Sequence, residues 1–376
     1  AVSDDKTEQG SVQIYRWYPS KEKLKLTDSV TVGFLPDDIA WKDDVVVIAN
    51  EGEPNDFYGV EDGVDPIGSI SVLTMDGGKV AENDEITASG SGFTRKGLRQ
   101  AGVRLDGLKG SNIDRLLEPE FVNIDPSGDF ATVTLQENNA MARVDLDAKK
   151  IVSITGLGRK NWGRGGLVVD TSNEDGPDGE ELYNPGPRQF KSLYMADGMD
   201  SFIDRNGETF VVMANEGDGR IRPDDVNFEA EADGKFSFST KNRGSFTSVE
   251  DGLTGRTLYV HEGTRGGNSV NFAAEEGDEF FLTMKYGAVA DDDYFADEVR
   301  AKKADDFGFA GDNLITYEDK GEGRLKLLTD QIGKNSLVAM GGRSFSIRNT
   351  DGDLVWDSGD QLDRIAAAAG TYDDGR

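Results

Sequence analysis

Short runs of alternating apolar and polar residues recur along the chain, and Gly, Asp, Asn and Pro separate them. This pattern predicts β-strands joined by turns. The strand-like runs span residues 12–18, 45–49, 69–73, 130–135, 210–214, 344–347 and 354–356. Asp351-Gly352, between the last two runs, predicts a hairpin. Helical periodicity is scarce, and it predicts short helices only within 97–117, 297–303 and 361–369.

One strand recurs together with the residues that follow it. Residues 46–52 (VVIANEG) reappear as 211–217 (VVMANEG), and 132–138 (TVTLQEN) is a looser copy. The Glu residues of the three copies are separated by roughly 80 residues, which is close to two propeller blades of about 40–45 residues each. The repeat therefore favours a propeller over a β-sandwich, which would not repeat an acidic motif at strand ends with this spacing.

The clearest single unit spans residues 118–157, where four strand-like runs are separated by turns. Four strands in about 40 residues make one propeller blade. We predict an all-β fold in which residues 1–376 form a single β-propeller domain.

Polar, Gly-rich segments interrupt the repeat near residues 159–189, 218–256 and 286–312. In a propeller these segments are expected to be long loop insertions on one face. Loops of this length are usually functional or disordered.

Acidic residues dominate the charge: 71 Asp and Glu against 41 Lys and Arg give a formal net charge of −30. Such a surface repels nucleic acid and anionic membranes and attracts cations, although it also keeps a protein soluble in salt. The chain has no Cys, and its one His, His261, lies in a strand-like run where we expect a structural role. Zinc, haem and iron–sulfur sites depend on such ligands and are therefore not expected, whereas Ca²⁺ on oxygen ligands is.

The first residues of the chain and its hydropathy indicate where in or outside the cell the protein is expected. It begins Ala1-Val2-Ser3, which resembles a mature terminus left by removal of a signal peptide. It has no apolar run of the roughly 18 residues that a membrane-spanning helix needs, so no membrane-spanning segment is expected. We expect a secreted, extracellular or cell-surface protein.

Seven carboxylates occupy corresponding places in the repeated units. Three follow the recurring strand and four lie in the acidic segments that precede it: Glu51, Glu137 and Glu216, and Asp37, Glu118, Glu120 and Asp197. If the units are blades, these groups form a ring around the propeller axis. They would repel one another unless a cation or an arginine, for which Arg220 and Arg343 are the candidates, neutralises them. Three interpretations remain open: hydrogen bonds to the neighbouring blade, a shared metal or ligand site, and an acid–base pair for hydrolysis.

A second candidate site is the loop 170–176 (DTSNEDG). Its oxygen-bearing side chains at alternate positions, followed by Gly, could wrap one cation of Ca²⁺ size. The expected ligands are Asp170, Ser172, Asn173 and Asp175, although the loop lacks the bidentate Glu of an EF-hand. A plain solvated acidic loop is the alternative.

Several motifs, in order along residues 30–362, resemble the choice-of-anchor I domain family. They are residues 49–56, 65–71, 117–120, 135–140, 214–218, 341–347 and 357–360. The family includes mesenchyme-specific cell-surface glycoproteins linked to biomineralisation. The resemblance implies a secreted or surface-anchored propeller of about seven blades, whose members are sometimes described as phosphatase-like.

Family members continue beyond the position at which this chain stops, Arg376. We therefore expect a fragment whose missing blades come from further residues or from a second polypeptide. The N-terminal run 10–18 is expected to supply outer strands of the blade formed by the C-terminus. The alternative is a smaller ring that closes on itself, with residues 12–17 paired to a strand within 310–357. The function we expect is that of a calcium-binding surface propeller with an adhesion, matrix or mineral-associated role; the alternative is a metal-dependent phosphoester hydrolase on the same ring.

Overall fold

The computed structural model describes part of the chain with its side chains and part by its backbone alone. Backbone and side chains are described for residues 5–54, 64–107, 111–171, 183, 185–186, 190–220, 325–328, 330–331 and 338–370, and the backbone alone for residue 329 and for strands between residues 227 and 300. Candidate residues Ser172, Asn173 and Asp175 fall outside the described residues.

The fold is all-β, as predicted. In chain order the strands are β1 Gln9–Tyr18, β2 Lys23–Phe34, β3 Pro36–Lys42, β4 Val45–Asn50, β5 Ser69–Asp76, β6 Lys79–Ile86, β7 Val122–Ile124, β8 Phe130–Leu135, β9 Ala140–Asp145, β10 Lys150–Gly156, β11 Arg159–Asn161, β12 Lys191–Leu193, β13 Met199–Ile203, β14 Thr209–Asn215, β15 Asn227–Glu229, β16 Gly234–Glu250, β17 Thr257–Ala274, β18 Glu279–Met284, β19 Glu298–Arg300, β20 Lys326–Leu328, β21 Val338–Ala339, β22 Ser344–Asn349 and β23 Leu354–Asp357. The described α-helices are α1 Arg95–Gln100 and α2 Gln361–Ala369.

Three four-stranded antiparallel sheets follow the blade plan. Two of them use strands in sequence order, β3-β4-β5-β6 and β7-β8-β9-β10. The second is the unit predicted from residues 118–157. The third, β13-β14-β22-β23, joins two strands from before residue 216 to the hairpin predicted around Asp351-Gly352. The architecture is that of a β-propeller.

Packing of one blade on the next forms the main core. Val47 and Val72 of the first blade pack in one buried cluster with Val133 and Val144 of the second. Strand β8 is buried on nearly its whole length because its sheet is covered on both faces. Its run FATVTL accordingly lacks the exposed polar positions of a one-sided strand.

The chain leaves the third blade after β14 and returns to it at β22. In between, strands β15 to β18 form a separate sheet of order β15-β18-β17-β16. Strands β19, β20 and β21 extend a second sheet that begins with β11 and β12. Strands β15 and β16 lie within residues 218–256, where a loop insertion is expected, and β16 pairs with β17 over almost its whole length.

Two further expectations differ from the structure. The helix expected within 297–303 is wrong, because β19 pairs with β20 there, as an extended Glu-Val-Arg segment can when a partner strand is available. The N-terminal run, expected to supply outer strands of the C-terminal blade, instead forms a two-stranded hairpin with β2. A turn at 19–22 brings β2 directly beside β1, so the nearest strand in sequence takes the pairing.

Candidate functional site

The three repeated Glu residues occupy equivalent places in the three blades. Glu51 follows β4, Glu137 follows β8 and Glu216 follows β14, and each of these strands is the second of its sheet. Gly52 and Gly217, which come next in two of the copies, both have the left-handed backbone that glycine allows, with φ of 70° and 96°. The repeat found in the sequence is thus a repeat of blade geometry.

The acidic segments before the first strand of each blade lie beside these Glu residues. The backbone N–H of Glu120 donates to the carbonyl of Thr134 at 3.1 Å, and that of Asp197 to the carbonyl of Ala214 at 3.0 Å. Each bond places an acidic residue next to the end of the second strand of its blade. Asp37 lies at the start of β3, in the corresponding position of the first blade.

Charge interactions connect all seven carboxylates, which we call the carboxylate cluster. The pKa of Glu51 is raised to about 10 by burial and by the nearby charges of Glu118, Glu53, Glu120 and Asp37. Burial and neighbouring carboxylates raise the pKa of Glu120 to about 9. These mutual charge effects indicate that the carboxylates lie near one another.

The most buried acid of the recurring strand is Glu137. Burial, followed by the charges of Glu120, Glu118 and Glu51, holds its pKa well above the ordinary range. Its Oε2 atom is buried and accepts no hydrogen bond from the described residues. An ionised carboxylate in such a place needs a counter-charge that these residues do not supply.

Arg220 provides a positive charge at the base of the cluster. Its Nε donates to Oε1 of Glu118 at 2.5 Å, and its Nη2 lies 3.4 Å from Oδ1 of Asp65. It also donates to the carbonyls of Arg115 and Asp106. Burial nevertheless outweighs the arginine and raises the pKa of Glu118 to about 8, and Oε2 of Glu118 has no hydrogen-bond partner among the described residues.

Arg343, the second candidate partner, contacts the last helix. Its Nε donates to Oδ2 of Asp363 at 3.2 Å, which ties the third blade to α2. Its backbone is left-handed, with φ of 46°, in the turn before β22. That Arg343 neutralises the carboxylate cluster stays a prediction.

Exposure changes in steps across the cluster. Glu118 and Glu137 are buried at 1% and 5% exposure, whereas Glu51, Glu120 and Asp197 are half-buried. Asp37 and Glu216 are exposed, and partial burial together with the charge of Asp197 still raises the pKa of both. We call this arrangement the acidic recess, with Glu118 and Glu137 as its buried floor and Asp37 and Glu216 as its solvent-exposed rim.

Sequence reasoning missed a polar network beneath the recess. The side-chain amide of Asn50 donates to the hydroxyls of Ser69 and Ser71, and Ser69 donates to Glu85 at 2.8 Å. The third blade repeats this network with Asn215, Ser344, Ser346 and Asp357. The recurring Asn before each Glu, together with Ser-x-Ser on the next strand, was the signal that could have revealed it.

The looser copy departs from this network. Gln136 stands where the other two blades have Asn, and Asn139 and Met141, opposite Gln136 and Thr134, stand where they have Ser. The Gln136 amide, oriented with its nitrogen toward Glu120, donates to both carboxylate oxygens at 3.1 Å. In this blade the Gln136 amide therefore hydrogen-bonds to Glu120, a member of the carboxylate cluster. In the other two blades the Asn amide hydrogen-bonds to serine hydroxyls instead.

The loop proposed as a calcium site is described only at its start. Asp170 is buried at 2% exposure, beside the isolated bridge between Val169 and Gly186. Among the described residues, no group of three or more His, Cys, Asp or Glu side chains has the spacing to hold a metal ion as it stands. Calcium binding at 170–176 stays a prediction.

Comparison with known sequences decides the family. The sequence profile of the choice-of-anchor I domain matches residues 1–257 and 259–376. The chain belongs to the choice-of-anchor I domain family. Membership indicates a cell-surface or extracellular protein. No helix among the described residues is long and apolar enough to cross a membrane.

Solved structures similar to this choice-of-anchor I chain are distant. A periplasmic gluconolactonase from Pseudomonas aeruginosa is 12% identical, with 93% of this chain and 76% of that chain covered and a TM-score of 0.25. A protein from Lactobacillus plantarum is 10% identical, with 93% and 82% covered and a TM-score of 0.26. A nidogen/laminin complex gives 12% identity, 74% and 83% coverage and a TM-score of 0.24. No curated protein matches the chain.

Proposed function

We propose that this protein is a cell-surface or extracellular β-propeller whose carboxylate cluster binds a hard divalent cation, with Ca²⁺ as the first candidate. The observation that supports the proposal is the pair of buried oxygens, Oε2 of Glu118 and Oε2 of Glu137, which have no hydrogen-bond partner among the described residues. Buried polar atoms are normally satisfied, so two such atoms among clustered carboxylates favour a bound cation as their partner.

The charge balance of the recess supports the same conclusion. The charge interactions link seven carboxyl groups, while Arg220 contacts them through Glu118. Such a set is either largely protonated or neutralised by a bound cation. Ca²⁺ prefers six to eight oxygen ligands at about 2.3–2.6 Å, and carboxylates and water supply these ligands.

The residues fit a flexible oxygen-ligand site better than a rigid one. Because no three described acidic side chains are already spaced as ligands, the ion would bind by drawing carboxylates together and keeping part of its water shell. The exposed rim of Asp37 and Glu216 gives a hydrated ion access to the buried floor. Ca²⁺ accepts irregular geometry, whereas Mg²⁺ requires a nearly ideal octahedron.

A calcium-stabilised, strongly acidic propeller at the cell surface suits an adhesion, matrix or mineral-associated role. The competing proposal is a metal-dependent phosphoester hydrolase. The raised pKa values of Glu51 and Glu120 favour it, because carboxyls that titrate near or above neutral pH can act as general acids. Against it, the Arg220 guanidinium is occupied by Glu118, Asp65 and two carbonyls, so it is not free to hold a phosphate.

Thermal unfolding in chelator and in calcium tests the binding proposal. Ligand at 100 times Kd should stabilise the wild-type fold by about 2.7 kcal/mol. Glu137→Gln should remove most of the calcium response, while Glu208→Gln, an exposed acid outside the recess, should keep it. Absence of any calcium response in the wild type would contradict the proposal. Turnover of a generic phosphomonoester or phosphodiester that is lost in Glu137→Gln would favour the hydrolase.

A further inference from the structure

The β1–β2 hairpin changes its apolar face halfway along its length. Near its base, Val12 and Val32 point into a buried cluster against the first blade. The register shifts between Ile14 and Tyr15, because Thr27 is an extra residue on β2. A bulge of this kind moves the following side chains to the opposite face of the partner strand.

Beyond the bulge lies the segment that we call the hairpin tip, residues 15–26. Tyr15 pairs with Leu26 and Trp17 pairs with Leu24, so the four side chains share one face. All four are about half exposed, at 48%, 48%, 52% and 57% respectively. In this segment every residue except the half-buried Tyr18 is exposed. The tip therefore projects from the blade and presents an apolar face to solvent.

The charge of the hairpin tip is opposite to that of the protein as a whole. It carries four basic residues, Arg16, Lys21, Lys23 and Lys25, and one acidic residue, Glu22, in a chain with a net charge of −30. Arg16 and Lys25 pair on the face opposite the apolar one. Long basic side chains can reach around an apolar face while keeping their charges in water.

We propose that the hairpin tip attaches the protein to a lipid bilayer that contains anionic headgroups. Trp and Tyr favour the boundary between headgroups and acyl chains, and Leu inserts below it. Each Lys or Arg near an anionic leaflet adds attraction within about a Debye length. The tip strands of roughly four residues extend about 13 Å. That exceeds the Debye length of about 8 Å at physiological salt, so repulsion from the acidic body is screened at the contact.

A second copy of the chain fits these observations less well. Stable protein interfaces bury about 800 Å² on each partner, and four half-exposed side chains on one narrow hairpin cannot supply that area. A bilayer needs no shaped partner surface and accepts a small apolar wedge flanked by basic residues. Membrane attachment is therefore the proposal, and self-association is an outcome of its test.

The test is cosedimentation of the purified protein with phosphatidylcholine vesicles, with and without phosphatidylglycerol, in chelator so that calcium cannot bridge acidic groups. We expect the protein to sediment with vesicles that contain phosphatidylglycerol, and not with vesicles of phosphatidylcholine only. Reversal of one charge in Lys23→Glu should weaken the affinity for anionic vesicles by about tenfold or more. The separate variant Trp17→Ala should weaken this affinity more than Lys23→Glu does. Matched controls are Lys150→Glu and Trp41→Ala, which change exposed residues of the same types outside the tip.

Near-ultraviolet circular dichroism and melting temperature establish that each variant is folded. Loss of vesicle binding in the two tip variants, with binding kept in both controls, would support the proposal. No binding by the wild type, or equal binding by all variants, would overturn it. Concentration-dependent dimerisation that Trp17→Ala abolishes, without vesicle binding, would overturn it in favour of a second copy.

Discussion

Nε of Arg220 lies 2.5 Å from Oε1 of Glu118, and both side chains are buried, at 5% and 1% exposure. The contact joins residues far apart in the sequence, since Arg220 follows β14 of the third blade and Glu118 precedes the second blade. It ties the excursion after β14 to the base of the carboxylate cluster. A buried ion pair that loses one partner leaves an uncompensated charge.

Arg220→Gln should therefore lower the free energy of unfolding by about 3–5 kcal/mol at pH 9, where Glu118, with a pKa of about 8, is ionised. Chemical denaturation monitored by tryptophan fluorescence measures this loss. Arg205→Gln, a change at an exposed arginine, is the control and should shift stability by less than about 0.5 kcal/mol. Equal effects of the two substitutions would show that the Arg220 contact contributes nothing to the fold.

Stability in chelator should fall as pH rises. Glu118, Glu120 and Glu51 have pKa values of about 8, 9 and 10 in the folded state, above the ordinary 4.5. Groups raised in this way bind more protons in the folded state than in the unfolded state. Their stabilisation is complete below pH 4.5 and is lost as pH rises toward 8–10.

Melting temperatures between pH 5 and pH 9 in chelator measure this dependence. Glu137→Gln should flatten the decline, because it removes a carboxyl whose pKa is raised well above its ordinary value. Glu208→Gln should leave the decline unchanged. A wild-type protein that becomes more stable between pH 5 and pH 9 would contradict the raised pKa values.

The buried amide network should matter for stability rather than for binding. Asn50→Ala removes the amide that donates to Ser69 and Ser71, and it leaves buried hydroxyls with one partner fewer. We expect a loss of about 1–3 kcal/mol with an unchanged calcium affinity. Asn123→Ala, which removes a hydrogen bond to Asp200 at the surface, should cost less. A change in calcium affinity at Asn50→Ala would place the network in the site itself.

The loop 170–176 offers an independent prediction. If it binds calcium, Asp170→Asn should remove one class of calcium site and leave the response of the carboxylate cluster intact. Equilibrium calcium titration of the wild type and the variant counts the sites. A calcium stoichiometry unchanged by Asp170→Asn would remove the loop from consideration.

The blades could be predicted from the sequence because a local repeat marks them. Residues 118–157 formed the predicted four strands because turn residues separate them at regular intervals, and the hairpin around Asp351-Gly352 formed for the same reason. The equivalence of Glu51, Glu137 and Glu216 followed from the strand that precedes each of them. Contacts between blades follow from packing over long sequence distances, and for that reason Arg220 could not be distinguished from Arg343.

The departures from expectation have the same physical origin. Pairing of β1 with β2 is decided by the short turn between them, although the residues of β1 would suit any sheet edge. The strand at Glu298–Arg300 forms because β20 offers it a partner. The chain returns to the third blade at β22, so that strands more than a hundred residues apart in the sequence pair with each other. No local sequence pattern predicts such a pairing.

The number of protons released when calcium binds tests the central claim most directly. Binding of Ca²⁺ requires ionised carboxylates, so an ion that enters the carboxylate cluster near pH 7 must displace the protons held by Glu51, Glu120 and Glu137. Isothermal titration calorimetry in two buffers of different ionisation enthalpy gives this number. We predict at least one proton released per Ca²⁺ bound by the wild type, and weaker binding with fewer protons released by Glu137→Gln. Calcium binding without proton release, or binding unchanged by Glu137→Gln, would contradict the account.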